Sequence, residues 1–559
     1  FKDLARDKSL YDTIEDDDGY AIKDSNGFEI EGRISFAGNF ASEGSGSGSE
    51  EEEPDTPSYS GDGFQVGDIL TTVRRDLGPK WLLCNGQSVE RDQYPTLADI
   101  YGFNPVGGWT MDTIDPTFVN YQNETGAWNF TRYFSVAKVA YINGKHIALG
   151  TFGNELHVYV FIAYTDDITS GEWTTKTIHT FDSSYSTTDA HPLVVRAIDI
   201  TYGNGIYAVL IMDGESSENG DADFGPAVLY STSLDAATWT RTALGTGSAY
   251  GYNGGMSLSY INGYFVFTPT CSGSIRFSYT NDIASANWNT ETLTSANTIY
   301  GMYIPNMLFV DGKYVFVSYQ VYGMSHGDET LRCFSTTTID GTWTNIVVDT
   351  VDFNADPSNR PHNYKSGHQM SDLAYLNGNF IFGFYNLMDH KVYIYHTSDP
   401  NSTSWTKILV DDETPSEYYY VGDNVNYRYE MNIKMGSIVY IDGIYMMTVT
   451  YAKLSESGLI DDFDCGDTYL YYSPNLTGPW MKTLIGPCKL SENTYMTAMR
   501  GNYPMNHLQE VNGYLTISTL YHDKTRDAVQ PVLYYKSIEA INLPNISFGN
   551  AYSYIKVEE

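Results

Sequence analysis

The sequence predicts an all-β protein built around a seven-bladed β-propeller. Three observations lead to this prediction: a β-rich composition, a tight-turn dipeptide that occurs seven times, and a tryptophan at a set place after most of these turns. Of the 559 residues, 48 are Tyr and 50 are Gly, and charged residues make up 18%. Aromatic residues favour strands, and no apolar run reaches the ~18–20 residues of a membrane-spanning helix.

The repeated dipeptide is Asn-Gly or Asp-Gly. It suits a two-residue type I′ hairpin, because both central residues of that turn need positive φ. An aromatic residue stands three positions before the glycine in six copies, and Glu510 takes that place in the seventh. Apolar and polar residues nearly alternate on both sides, as in half-buried strands. The turn glycines are Gly144, Gly205, Gly263, Gly312, Gly378, Gly443 and Gly513.

A second strand pair follows each hairpin. An apolar strand ending near Ser or Thr leads into a short polar turn and then a Trp, so that one repeat contains four antiparallel strands, named A to D in chain order. Four such strands repeated seven times are the pattern of a β-propeller. Successive turns are about 61 residues apart on average, against ~40–50 for a usual blade, which predicts long loops. The blade tryptophans are Trp173, Trp239, Trp288, Trp343, Trp405 and Trp480.

The seventh repeat predicts how the ring closes. Its third strand, near Leu533-Tyr534-Tyr535, is followed by no Trp, whereas Trp128-Asn129-Phe130-Thr131 precedes the first hairpin without strands of its own. We therefore expect Trp128 to open strand D of blade seven, so that an N-terminal strand closes the propeller and leaves no open seam. The alternative is that Trp128 belongs to a linker.

Strand order predicts which face binds. In an up-and-down blade the A–B and C–D turns lie on one face, and the B–C and D–A connections lie on the other. The latter connections are long and uneven, which favours a loop-rich binding face. The predicted contact residues are rigid amphipathic tyrosines, namely Tyr418, Tyr419, Tyr420, Tyr427 and Tyr429. The alternative is that these side chains pack between neighbouring loops.

The charge and the motifs exclude several classes of function. The net charge of −37 argues against nucleic acid and against anionic membranes as partners, because both repel an acidic surface. The sequence has no phosphate-binding loop, serine-hydrolase elbow, zinc-protease helix or dinucleotide fingerprint. An acidic cluster could hold Ca²⁺ through oxygen ligands, although it lacks EF-hand spacing and a solvated acidic loop is the alternative. Its members are Asp461, Asp462, Asp464 and Asp467. No other cofactor or metal is expected.

Composition divides the chain further. A Gly/Ser-rich stretch followed by four Glu and two Pro is typical of a flexible, self-repelling linker. The predicted regions are an N-terminal attachment segment at 1–41, this linker at 42–63, a small α+β domain at 64–120, the propeller at 121–540 and a C-terminal tail at 541–559.

Residues 64–120 resemble the phage tail-collar domain. The resemblance rests on three motifs in order, a G-D-I strand, a P-x-W-L-x-C-N-G turn and Y-P-x-L, found at Gly67-Asp68-Ile69, Pro79–Gly86 and Tyr94–Leu97. Lys80 departs from the family, which usually has Gly before the Trp. The propeller repeat is also similar to repeats of phage tail fibres, over residues 125–540. The two resemblances imply a homotrimeric virion fibre or receptor-binding protein, made in the host cytoplasm, whose N-terminal region contacts other virion proteins.

Three functions follow from these expectations. The first is host-surface recognition by a phage fibre that adheres to a glycan or protein and is not an enzyme. The second is a sialidase-like glycoside hydrolase, which would need a cluster of arginines to bind a sugar carboxylate. The third is a structural decoration of the virion. The arginines available for the second function are Arg196, Arg276, Arg332, Arg428 and Arg500.

Overall fold

A computed structural model describes residues 14–16 and 19–21, separate segments within 69–114, and most of 135–556. From residue 115 onward its longest gaps are 115–134, 183–195, 214–224, 245–255, 352–369, 413–432, 453–465 and 497–507. Contacts divide the chain into Phe1–Gly63 and Phe64–Glu559. In the first unit, Ile14–Asp16 pairs with Gly19–Ala21. The part that the structure describes contains no helix long and apolar enough to cross a membrane.

The first three blades are antiparallel four-stranded sheets, each in the order A–B–C–D. Blade 1 consists of Ser135–Ile142, Lys145–Gly153, His157–Thr165 and Thr174–Asp182. Blade 2 consists of Arg196–Gly203, Ile206–Asp213, Gly225–Ser231 and Thr240–Ala243. Blade 3 consists of Ser257–Ile261, Tyr264–Thr268, Ser274–Thr280 and Asn289–Ser295.

The next three blades repeat this arrangement, with strand A of blade 4 split into two pieces. Blade 4 consists of Ile299–Tyr303 and Leu308–Val310, then Lys313–Tyr322, Glu329–Thr336 and Thr344–Val351. Blade 5 consists of Ala374–Leu376, Asn379–Asn386, Lys391–Thr397 and Thr406–Asp411. Blade 6 consists of Ile433–Ile441, Ile444–Ala452, Gly466–Ser473 and Met481–Gly486.

Blade 7 is closed by an N-terminal strand. Its own strands are Lys489–Ser491, Thr494–Met496, Leu508–Val511, Tyr514–Asp523 and Ala528–Ser537, and Thr110–Thr113 pairs with the last of these as strand D. This corrects the prediction that Trp128 opens the closing strand; Trp128 itself lies outside the described residues. The signal was Trp109-Thr110, which repeats the Trp-Thr pair seen at Trp173-Thr174. With this strand the predicted seven-bladed propeller is confirmed.

The A–B turns have the backbone that type I′ hairpins require. In all seven, the Asn or Asp has φ between 46° and 51° and the following Gly has φ between 74° and 87°. The turns also connect the blades, because the Asn side chain of one blade can donate to a Tyr hydroxyl on strand B of the next. Asn143 donates to Tyr207 at 2.9 Å, and Asn262 donates to Tyr314 at 2.8 Å.

Apolar side chains fill the space between the blades. Ile147, Val209 and Leu229 belong to a fully buried cluster shared by blades 1 and 2. Phe277 and Phe316 pack between blades 3 and 4 with their ring centroids 6.3 Å apart. Each blade therefore buries both of its faces against neighbours, as a closed ring of sheets demands.

The C-terminal strands pair with the segments that resemble a collar domain. Ala551–Lys556 pairs with both Ile69–Thr72 and Trp81–Leu83, and Ala540–Asn542 pairs with Ser88–Glu90. The region predicted as a C-terminal tail, 541–559, thus contains strands that pair with N-terminal segments. Thr110 starts the closing strand opposite Tyr535, near the end of strand C, so the chain enters the propeller from the face that carries the short turns.

Candidate functional site

One position five residues before the Asn or Asp of each A–B turn is polar in every repeat. In the described blades it lies within strand A, except at Asn306 and Asp372, which lie just before strand residues Leu308 and Ala374. The described members are Lys138, Asp199, Ser257, Asn306, Asp372 and Ser437. The seventh copy has His507 in the sequence, outside the described residues. These six described residues are called the axial ring below.

The ring lies at the centre of the propeller. Strands A of blades 1 and 2, of blades 2 and 3, and of blades 5 and 6 lie against each other. Lys138 of blade 1 and Asp372 of blade 5 interact electrostatically, although their blades are not neighbours in the ring. Only side chains close to the central axis can meet in this way.

Lys138 and Asp199 form a largely buried ion pair between blades 1 and 2. The Lys138 Nζ lies 2.6 Å from Asp199 Oδ1, and the two side chains are 21% and 8% exposed. Backbone N–H groups of Ile200 and Leu258 also donate to the Asp199 carboxylate, at 2.8 and 2.9 Å. A β-bulge precedes each charged residue, and bulges re-aim the side chains that follow them.

Asp372 is the titratable member of the ring. Burial raises the pKa of its carboxyl to about 6; the negative charge of Asp199 adds to this, and Lys138 and Ser437 partly offset it. The Ser437 hydroxyl makes a long contact of 3.5 Å with Asp372 Oδ2. Asp372 retains partial exposure to solvent, so its proton can exchange with a ligand or with water.

Lys138 cannot serve as the base of this site. Burial alone would lower the pKa of its ammonium, but the charge and hydrogen bond of Asp199, together with the charge of Asp372, raise it above the usual value. The ammonium therefore stays protonated near neutral pH. The ring thus contains the Lys138 cation, the Asp199 carboxylate, which accepts from three donors, and the Asp372 carboxyl, whose pKa is about 6. A buried carboxyl with such a pKa is suited to general acid–base catalysis.

The ring also joins blade 4, which carries no charge at this position, to blade 5. The Asn306 side chain of blade 4 bonds the backbone of Leu373 in blade 5 twice, donating to its carbonyl at 2.9 Å and accepting from its N–H at 2.8 Å. Leu373 follows Asp372 directly. The amide pair therefore fixes the backbone that presents Asp372 to the axis.

The residues predicted as contacts from the sequence are not among those described. Tyr418, Tyr419, Tyr420, Tyr427 and Tyr429 lie in the 413–432 gap, so their role on a binding face stays a prediction.

Three of the four residues in the predicted Ca²⁺ cluster lie outside the described residues. Asp461, Asp462 and Asp464 lie in the 453–465 gap, and Asp467 is half-buried at the start of strand C in blade 6. Within the described residues, no group of three or more His, Cys, Asp or Glu side chains could hold a metal ion.

The described arginines do not gather at the axis. Arg276 and Arg332 lie on strands C of two different blades. The Arg332 guanidinium donates to Thr330 at 3.3 Å and to Asn345 at 3.1 Å, both in its own blade. Arg196 begins strand A of blade 2, and Arg428 and Arg500 lie outside the described residues.

Sequence reasoning missed the axial ring, although a signal was present. The tight turns give every repeat a common reference position, and the residue five positions before the Asn or Asp of each turn is polar in all seven repeats. A polar residue in a strand that is otherwise apolar costs free energy unless it is bonded or functional.

Solved structures similar to this chain are propellers named for enzymes that act on glycans. The Trypanosoma rangeli sialidase in complex with sialic acid is 11% identical, with TM-score 0.36, over 72% of this chain and 54% of its own. The phage phi92 endosialidase is 9% identical, with TM-score 0.39, over 79% and 70%. The polysaccharide lyase Uly1 is 8% identical, with TM-score 0.40, over 75% and 95%. The chain thus spans about half of the length of the sialidase.

These matches correct the prediction that the chain is not an enzyme, because the structures that resemble it are those of enzymes. At this level of identity the likeness concerns the fold, and it assigns no reaction to this chain. No family model matches the chain, so the resemblance of residues 64–120 to the tail-collar domain is not confirmed. No curated protein sequence matches it either.

Proposed function

We propose that this chain is a glycan-acting propeller that cleaves carbohydrate at its axis, with Asp372 as the general acid. One observation carries the proposal: a partly exposed carboxyl whose pKa is raised to about 6 interacts electrostatically with a second carboxylate, Asp199, from a blade that is not its neighbour. A carboxyl group with a raised pKa, together with a second carboxyl group, is typical of glycoside hydrolases.

Each of four residues of the axial ring has a separate role in the proposed reaction. Asp372 gives a proton to the glycosidic oxygen as the bond from that oxygen to the anomeric carbon breaks. A water molecule adds to the carbon and releases a proton to the solvent, and Asp372 takes up a new proton before the next cycle. Such positioned proton transfer contributes ~10²–10⁴-fold to a rate. Lys138 and Asp199 provide fixed charges that cost no reorganisation during the reaction, because the surrounding strands already hold them. Asn306 is a positioning residue, since it fixes the backbone beside Asp372.

The virion setting is part of the same proposal. The motifs around Trp81 and Tyr94 support a phage fibre, with a homotrimeric form, attachment to other virion proteins and host glycan as the partner at the loop-rich face. Adhesion through that face would hold the glycan near the axis, and several copies on one particle would strengthen the attachment. A purely structural role on the virion does not account for a partly exposed axial carboxyl whose pKa is raised.

The test measures the release of oligosaccharides from a panel of bacterial surface polysaccharides. The full chain is compared with Asp372→Asn and with a matched control, Asp442→Asn. The control makes the same chemical change at an A–B turn, where five of the seven blades already have Asn.

We expect the wild-type chain and Asp442→Asn to release products at equal rates. Asp372→Asn should be slower by ~10²–10⁴-fold, because the general acid is gone. Equal rates for all three proteins would overturn the assignment of Asp372. Release of no product from any glycan would overturn the proposed reaction.

A further inference from the structure

We infer that the axial site takes a glycan without acidic groups, rather than one that contains sialic acid, uronic acid or phosphate. This inference rests on the proposed function and names the substrate class of the same site. The similar sialidase structure holds sialic acid, an acidic sugar, so the inference does not follow from that likeness.

The axial ring carries net negative charge at neutral pH. Its one cation, Lys138, already lies 2.6 Å from Asp199 and is attracted by Asp372 as well. Once Asp372 ionises above pH about 6, the two carboxylates outnumber the ammonium. A sugar carboxylate would enter a site whose cation is paired and whose remaining charge repels it.

Several other cations in the described part of the propeller are also paired with carboxylates. Five further lysines have an aspartate within ion-pair distance, from 2.6 to 4.0 Å. These lysines are Lys145, Lys176, Lys313, Lys407 and Lys482. The Arg332 guanidinium, which a sialidase-like site would use, donates to Thr330 and Asn345 instead. Binding an acidic sugar through these groups would require breaking existing contacts.

Three of the connections that join strands B and C or strands D and A have acidic sequences. The B–C connection of blade 2, 214–224, contains four acidic residues and no Lys or Arg. The connection 413–432 contains four acidic residues and Arg428, and 453–465 contains four acidic residues and Lys453. This charge is part of the net charge of −37, which repels a polyanion that approaches the chain.

The experiment compares binding of neutral and acidic glycans of matched length to the full chain. The probes are mannan, glucan and galactan fragments on one side, and polysialic acid and polygalacturonate fragments on the other. The wild-type chain serves as the binding protein at pH 8, where Asp372 is ionised and cannot act as the acid, and wild-type cleavage of each probe is measured in parallel at pH 5. Each affinity is determined at 20 and 200 mM salt, about one decade apart, because salt screens exposed charges.

We expect a neutral probe to bind with an affinity that changes less than about twofold with salt. Acidic probes should bind at least ~10-fold more weakly at low salt and should gain affinity as salt screens the repulsion. Tighter binding of an acidic probe, weakened by salt, would overturn this inference; if the chain also cleaves that probe, the proposed function stands. If the chain binds none of the probes and cleaves none of them, both this inference and the proposed function are wrong.

Discussion

The Lys138 ammonium lies 2.6 Å from the Asp199 carboxylate and joins strands A of the first two blades at the axis. The carboxylate also accepts from the N–H of Leu258 in blade 3, so one side chain connects three consecutive blades. A buried ion pair contributes little net stability when its desolvation is counted, yet removal of one partner is expensive. The pair therefore fixes the geometry of the ring more than it adds to its stability.

Removal of the cation should destabilise the propeller strongly. Lys138→Met leaves Asp199 buried without its counter-charge, and we expect a loss of ~3–5 kcal/mol in the free energy of unfolding. Lys145→Met is the matched control, because Lys145 and its partner Asp166 are 32% and 76% exposed and such pairs contribute ~0–1 kcal/mol. Urea unfolding measures both variants, and losses of equal size would contradict a buried axial pair.

Neutralisation of Asp372 should stabilise the protein at neutral pH. An unfolded Asp titrates near ~3.9, whereas the folded-state pKa of Asp372 is raised to about 6. Between these values the folded protein keeps a proton that the unfolded chain has released. The stability from this group is therefore fully present below pH ~4 and is lost as the pH rises to about 6.

The Asn side chain of the Asp372→Asn variant cannot ionise, so its free energy of unfolding does not fall between pH 4 and pH 6 through this group. We expect the variant to exceed wild type by ~1–3 kcal/mol at pH 8 and by little at pH 4. Urea unfolding at pH 4, 6 and 8 tests this. A variant less stable than wild type at pH 8 would mean that the ionised Asp372 serves to hold the ring together.

The bonds between turns and blades predict a pair of opposite effects. Tyr314→Phe removes the acceptor of the Asn262 amide and should cost ~0.5–1.5 kcal/mol. Blade 3 has Phe265 where blade 4 has Tyr314, beside the equivalent turn residue Asn204. Phe265→Tyr should therefore gain stability or leave it unchanged. Thermal unfolding measures both, and a Tyr314→Phe variant as stable as wild type would show that this bond contributes nothing.

The closing strand can be tested with one buried residue. Ile114 follows Thr110–Thr113, is fully buried, and packs in a core cluster with Val139 of blade 1 and Leu533 of blade 7. Ile114→Ala should cost ~2–5 kcal/mol, whereas Trp128→Ala should leave the stability of the propeller within ~0.5 kcal/mol. Denaturant unfolding distinguishes the two, and the reverse order of effects would restore Trp128 as the closing residue.

The fold could be predicted because its signals are local. Each Asn-Gly or Asp-Gly pair specifies its own turn, and its repetition specifies the number of blades without knowledge of distant contacts. The closing strand is harder to place because only four residues, Thr110–Thr113, form it, so that their pattern is short and the Trp at 128 competes with it. The pairing of Ala551–Lys556 with Ile69–Thr72 joins segments nearly 500 residues apart, and no local pattern reports it.

The axial ring depends on symmetry rather than on a motif. Lys138, Asp199 and Asp372 are far apart in the sequence and share no signature, so a search for catalytic spacings passes over them. They meet because each occupies the same position in its repeat, and the circular arrangement of the blades brings these equivalent positions together at the axis. The raised pKa of Asp372 arises from burial and from the charge of Asp199, and both depend on the closed ring.

The pH dependence of kcat/KM for glycan cleavage by the wild-type chain tests the central claim most directly. If Asp372 is the general acid with a pKa of about 6, then kcat/KM should fall roughly tenfold per pH unit above that value as the carboxyl loses its proton. A rate that stays constant from pH 5 to 9, or that rises across this range, would contradict the assignment of the axial carboxyl as the acid.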